Sequence, residues 1–196
     1  MILCCGEALI DMLPRVSAEG ELAFAPYAGG AVFNTSIALG RLGTAPGFFS
    51  GMSTDLFGEL LDTKLSEAGV SFDLAVRSAR PTTLAFVRLS DGQATYTFYD
   101  ENTALRMMTE ADLPPLPDTV SALFFGGISL MGEPCGTAYE ALLTRETATR
   151  VTMIDPNIRP SFIPDRAGYV ARIKSMMALS DIVKLSDEDL HWLEGD

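Results

Sequence analysis

The stretch YAGGAVFNTSIALGRLG, residues 27–43, sets two glycines, Gly29 and Gly30, ahead of a helical apolar pattern whose first turn carries Asn34. Glycines there let a ligand approach the backbone closely, and a helix start leaves N–H groups without partners. Asp11, late in the first apolar run, is expected to close the first strand and to reach the same place. A carboxylate accepts hydrogen bonds from hydroxyls, and an asparagine amide both donates and accepts. Together these groups suit a neutral polyhydroxy ligand, because Asp11 would repel a phosphate. A plain glycine turn with a capping polar residue fits the same spacing. The spacing is not G-x-G-x-x-G, which disfavours a nicotinamide dehydrogenase.

Two further constellations fall where ligands of open α/β sheets bind, at the carboxyl ends of strands. In IDPNIRPSF (154–162) the proline after Asp155 holds that residue extended, and Asn157 and Arg159 leave the strand end together. A guanidinium there can clamp a phosphoryl group through paired hydrogen bonds; a surface turn with a solvated arginine is the alternative. In VKLSDEDLHWL (183–193), Ser186 and Asp189 have the spacing of a capping box, which is a sufficient structural reading. The functional reading sets Lys184 and Ser186 near nucleotide phosphates and Asp189 near a metal. His191 and Trp192 read as ordinary helix residues, and no Ser-His-Asp motif surrounds His191.

The elements that must position these residues alternate. APGFFSG, VSALFFGG, RVTMID and DIVKLS read as strands. TDLFGELLDTKLSEAG, GTAYEALLTRETA, DRAGYVARIKSMMALS and DEDLHWLEG read as helices, the first ending at Gly69 with Leu61, Leu65 and Ala68 on one side. Such alternation predicts a parallel sheet covered on both faces. Two segments break the rhythm. TTLAFVRLSDGQATYTFYD (82–100) reads as a hairpin about Asp91-Gly92, and ELAFAPYAG (21–29) as a short β piece. They are expected to form one small sheet, a lid. LPPLPD (113–118) reads as a stiff connector.

Composition excludes several classes. The chain of 196 residues carries 14 Lys+Arg against 26 Asp+Glu, a net charge of −12, with no basic cluster, so nucleic acid is not an expected partner. The most apolar window, SALFFGGISLMG (121–132), is too short to cross a bilayer, so no membrane partner is expected. The start lacks a basic leader and holds Glu7 and Asp11 within its apolar run, so a cytoplasmic protein is expected. Cys4, Cys5 and Cys135 show no C-x-x-C spacing, and the single histidine has no second to complete a zinc site. Reduced, buried thiols are the expectation.

In order and interval, these segments resemble the ribokinase-like carbohydrate kinases, the phosphofructokinase-B family. CCGEALIDMLP is similar to the family's first strand, GGAVFNTSIALGRLG to its first signature and GMSTDLFG to its Asp-x-Phe-Gly segment. DPNIRP is similar to the fructokinase-type Asp-x-Asn-x-Arg element, and KLSDEDLHWLEG to the acidic helix on the nucleotide side. The resemblance implies an α/β, ribokinase-like, doubly wound, mostly parallel sheet with helices on both faces and a small β-sheet lid. On this reading residues 1–10, 30–80 and 101–196 form the body, and 11–29 and 81–100 the lid. It implies ATP and Mg²⁺, leaves activation by a monovalent cation open, and implies a homodimer paired lid to lid. Substrate binding would fall to Asp11, Gly29, Gly30, Asn34, Phe98, Asp100 and Asn157, and phosphoryl stabilisation to Arg159. Lys184 and Ser186 would serve the nucleotide, and Asp189 the metal.

Departures refine the expectation. Val32 and Phe33 replace smaller residues. Asp100 stands where kinases of 2-keto-3-deoxygluconate place an arginine, and an aspartate there would repel an acid sugar. Fructose is therefore preferred, with ribose, a nucleoside or the keto acid as alternatives. The family's Gly-Ala-Gly-Asp element, which carries the catalytic base and an anion hole, has no match in these residues. Either the chain is the first part of a longer kinase, or it is a short relative that binds sugar or a partner without phosphorylation. The first is expected, because a doubly wound sheet cut after this helix would leave strands uncovered and a long free edge.

Overall fold

The computed structural model describes residues 1–90 and 93–195. The apolar run ILCC forms β1 (Ile2–Cys5), buried on both sides, and the chain then turns at Gly6–Ala8 into β2 (Leu9–Val16). β3 (Leu22–Gly29) returns antiparallel to β2 and runs directly into α1 (Ala31–Arg41). β4 (Gly47–Phe49), β5 (Gly51–Ser53), α2 (Leu56–Glu67) and β6 (Val76–Ser78) follow, and then the hairpin strands β7 (Leu84–Ser90) and β8 (Gln93–Tyr99). The second half alternates: β9 (Ala122–Gly126), α3 (Cys135–Glu146), β10 (Val151–Asp155), α4 (Arg166–Leu179), β11 (Ile182–Val183) and α5 (Asp187–Glu194). The turn expected at Asp91-Gly92 lies outside the described residues.

The main sheet is parallel, in the order β11-β10-β9-β1-β4. Alternation along β1 sends Cys4 into a core with Val32 and Phe33 of α1 and Leu61 and Leu65 of α2. Leu3 and Cys5 point the other way, into a core with Tyr139 and Leu142 of α3 and Ile173 of α4. Helices thus cover both faces. The three cysteines are free and buried, and burial pushes the thiols of Cys4 and Cys135 up to about 12.

A second sheet has the order β3-β2-β7-β8. It begins at Leu9, so Asp11 does not close the first strand: β1 ends at Cys5, and Asp11 is the third residue of a strand in the other sheet. The register explains what each face carries. Tyr27, Asp11, Ala85 and Phe98 lie in one row, and Ile10, Leu84 and Tyr99 in a row of the opposite face. Because side chains alternate, Leu9 and Tyr96 join the Asp11 face. A small parallel pair, β5-β6, was not apparent from the sequence pattern; each strand is too short to show a period.

Asp55 ties the start of α2 to the segment just before β7. It caps α2, its Oδ1 accepting from the Gly58 N–H at 2.8 Å and from the Thr82 hydroxyl at 2.6 Å. Its Oδ2 accepts from the Thr82 N–H at 2.9 Å, just before β7. Burial raises its carboxyl, but the hydrogen bonds from Thr82 and Gly58 outweigh it and hold the group below the usual carboxylate value. The stability it contributes is therefore present above the unfolded pKa and is lost as pH falls through the lower folded one. Asp55→Ala is expected to cost about 1–2 kcal/mol, the range of a lost helix cap, measured by urea unfolding at pH 7. The difference from wild type should shrink in acid below the ordinary aspartate range.

Candidate functional site

Between the two sheets lies a cavity of about 230 Å³. Asp11, Gly30, Asn34, Phe98, Asn157 and Arg159 line it together, whereas Gly29 and Asp100, expected beside them, do not. Glu7, Leu9, Ala31, Tyr96 and Ile128 complete the wall. Leu9, Asp11, Tyr96 and Phe98 come from one face of the four-stranded sheet, Gly30 to Asn34 from the start of α1, and Asn157 and Arg159 from the loop after β10.

The start of α1 is not open to a ligand in the way expected. Glu7 fills it. Its Oε1 accepts from the Ala31 N–H at 2.7 Å and the Val32 N–H at 3.3 Å, and its Oε2 faces the Ser129 N–H at 3.5 Å. The Glu7 carbonyl takes the Phe33 N–H at 3.2 Å. Gly30 is required for this approach. Its φ is 109°, and a Cβ there would stand 2.9 Å from the Glu7 carbonyl oxygen. Glu7 is 1% exposed, and burial raises its carboxyl to about 7 against the pull of its N–H donors. The sequence contained the residue, but nothing in a strand pattern marks an acid as the cap of a helix 24 residues on.

Asp11 differs from Glu7 in being left unpaired. Among the described residues no donor reaches its carboxylate, and burial raises it. Gly29 is not in the cavity wall; it is the residue that makes room for Asp11, since a Cβ there would overlap the Asp11 carboxylate. Arg159 donates from Nη1 to the carbonyls of Asn157 and Ile158 at 3.3 and 2.9 Å. No carboxylate pairs with it among the described residues, so its charge is available to a ligand. Asn157 makes the turn, with φ 46°. Phe98 packs edge-on to Phe162 at 4.7 Å and stacks with Tyr96 at 5.9 Å, giving the cavity an aromatic rim.

Four expected site residues have other partners. Asp100 is not in the cavity wall and forms an ion pair with Arg106. The repulsion of an acid sugar argued from Asp100 is therefore neutralised locally. Lys184 pairs with Asp155 at 2.9 Å, and that bond raises its pKa. Ser186 and Asp189 form the capping box of α5: the Ser186 hydroxyl accepts from the Asp189 N–H at 3.0 Å. Asp189 is buried, with Oδ1 on the Ile158 N–H at 2.8 Å and Oδ2 on the Ser186 N–H at 3.4 Å. It thereby holds the Arg159 loop against α5.

Comparison with known proteins bears on what this cavity serves. The model of the pfkB family carbohydrate kinases matches residues 1–196. The chain is 61% identical over 198 residues to a fructokinase of Rhizobium leguminosarum bv. trifolii, covering all of this chain and 61% of that protein. It is 35% identical over 207 residues to fructokinase-1 of Oryza sativa subsp. japonica, covering 62% of it. The crystal structure of a fructokinase from Xylella fastidiosa with bound ATP superposes with a TM-score of 0.90 at 32% identity, over 99% of this chain and 63% of that one. The chain thus spans less than two thirds of the length of these relatives.

Proposed function

Since the chain belongs to the pfkB family of carbohydrate kinases, we propose that it binds a neutral sugar, fructose, and serves its phosphorylation by ATP. The observation that carries the reading is one cavity lined by both an unpaired carboxylate, Asp11, and an uncompensated guanidinium, Arg159. The fructokinase relatives and the ATP held by the Xylella protein support the choice of sugar and phosphoryl donor. Three free, buried cysteines support a cytoplasmic location.

Asp11 and Asn34 accept and donate hydrogen bonds to sugar hydroxyls, fixing the ring against the bare backbone at Gly30. Tyr96 and Phe98 cover its apolar face, and their sheet excludes water from the reacting phosphoryl group. Arg159 stabilises charge on that group as the bond to the leaving phosphate lengthens. The proton of the attacking hydroxyl requires a base that none of these cavity residues is assigned. Mg²⁺ held by Asp189 does not fit: both carboxylate oxygens are engaged by backbone N–H groups. Among the described residues no group of three His, Cys, Asp or Glu side chains could hold an ion. No step here runs through a metal or a monovalent cation.

The outer face of the four-stranded sheet carries Phe24, Phe86 and Tyr99 in an edge-to-face row, at 5.0 and 5.4 Å, with Val16 and Leu22 exposed beside them. This face supports a homodimer paired sheet to sheet. Sedimentation at micromolar concentration should give twice the protomer mass, and Tyr99→Asp should give the protomer; a monomeric wild type rejects the pairing.

The full-length protein should release ADP with fructose and ATP. Asp11→Ala should raise the fructose KM by about 10- to 100-fold, the worth of hydrogen bonds to a charged group. Arg159→Ala should lower kcat by roughly 10²–10³-fold with the fructose KM little changed. No ADP release with any common hexose, pentose or ribonucleoside would reject the kinase reading in favour of non-catalytic binding.

A further inference from the structure

We infer that Glu7 is a positioning residue for the sugar cavity, holding the start of α1 and the 127–129 turn together through its ionised carboxylate; the inference rests on the sugar-kinase reading above. The carboxylate sits where two walls of the cavity meet. One oxygen holds the N–H groups of Ala31 and Val32, in the same turn as Asn34. The other faces the Ser129 N–H beside Ile128, which itself lines the cavity. Gly127, at φ 69°, brings its backbone so close that a Cβ would overlap the carboxylate. If the carboxylate is lost, both walls lose their common support.

Among the described residues no arginine, lysine or histidine pairs with Glu7, and α1 and the 127–129 turn offer it only N–H groups. Asp11 of β2 and Arg159 line the same cavity, and the hydroxyl of Tyr139 on α3 is raised by burial above all and only to a lesser degree by Glu7. With the carboxyl raised to about 7, the group is divided between carboxylate and acid near neutrality. A proton on it turns one acceptor oxygen into a donor facing N–H groups, so the clamp loosens as pH falls.

Folding stability runs in the opposite direction. The folded-state pKa lies above the unfolded one, so the stability gained from the bound proton is full below the unfolded value and is lost as pH rises through about 7. Glu7→Gln, a neutral residue of the same size, is therefore expected to melt no lower than wild type at pH 8 while binding sugar less well. A residue that serves the fold alone would not separate these two effects.

The experiment is steady-state kinetics of the full-length protein with fructose and ATP at pH 6 and pH 8, beside amide hydrogen exchange of the first turn of α1. The wild-type fructose KM should rise about tenfold from pH 8 to pH 6, following the ionised fraction of a group titrating near 7. Glu7→Gln should show the high value at both pH values, with the ATP KM unchanged. Protection of the Ala31 and Val32 amides, corrected for intrinsic rates, should fall with pH in wild type and stay low in Glu7→Gln. Equal fructose KM values for the two proteins at pH 8 would overturn the inference, as would a Glu7→Gln protein that melts well below wild type. If wild type turns over no sugar, the kinase reading falls separately; exchange then decides alone, and protection that does not change with pH refutes the role of Glu7.

Discussion

A carboxylate with no cation beside it, buried against the N–H groups of a helix start, is the contact on which the site depends. Taking Glu7 out of water costs several kcal/mol unless donors replace the lost solvent. Here the replacement comes from the backbone: Ala31 and Val32 on one side and, more distantly, Ser129 on the other. The arrangement in turn demands glycine at 30 and 127, since a side chain at either would collide with Glu7. The bare backbone near the cavity is thus required first by an internal anion. The sugar would meet a helix end whose charge is already satisfied, which favours a ligand that brings hydroxyls and no negative charge.

That contact also explains how Asp11 comes to the cavity. The chain leaves the parallel sheet at Cys5, turns while Glu7 is held by α1, and enters the second sheet at Leu9. Alternation then points Leu9 and Asp11 at the cavity and Ile10 into the core behind it. Asp55 holds the segment just before β7, the strand next to β2 in that sheet, through Thr82. Asp189 fixes the loop that carries Arg159, so a residue read as a metal ligand serves instead to hold that loop against α5.

Much of this was legible in the residues. The strand–helix alternation located the parallel sheet, and Gly30 and Asn34 line one cavity with Asn157 and Arg159, while Gly29 stays outside its wall. What escaped had physical reasons. A continuous apolar run gave no sign that residues 2–16 are two strands in different sheets, so Asp11 was assigned to the wrong one. Glu7 was read as an acid in a strand because its donors are 24 or more residues distant. Asp100 was judged by its position alone, while Arg106, six residues on, removes its charge from the site. Tyr96 was the one omission that the pattern could have supplied, since it lies two residues before Phe98 on the same strand face.

If Asp11 and Asn34 hold a neutral sugar above a helix end that Glu7 already occupies, a crystal structure of the full-length protein with fructose should show it. Sugar hydroxyls are expected on the Asp11 carboxylate and the Asn34 amide, with Glu7 still bonded to the Ala31 N–H and out of contact with the sugar. Fructose bound elsewhere, or Glu7 swung away from α1 to take a sugar hydroxyl itself, would contradict it.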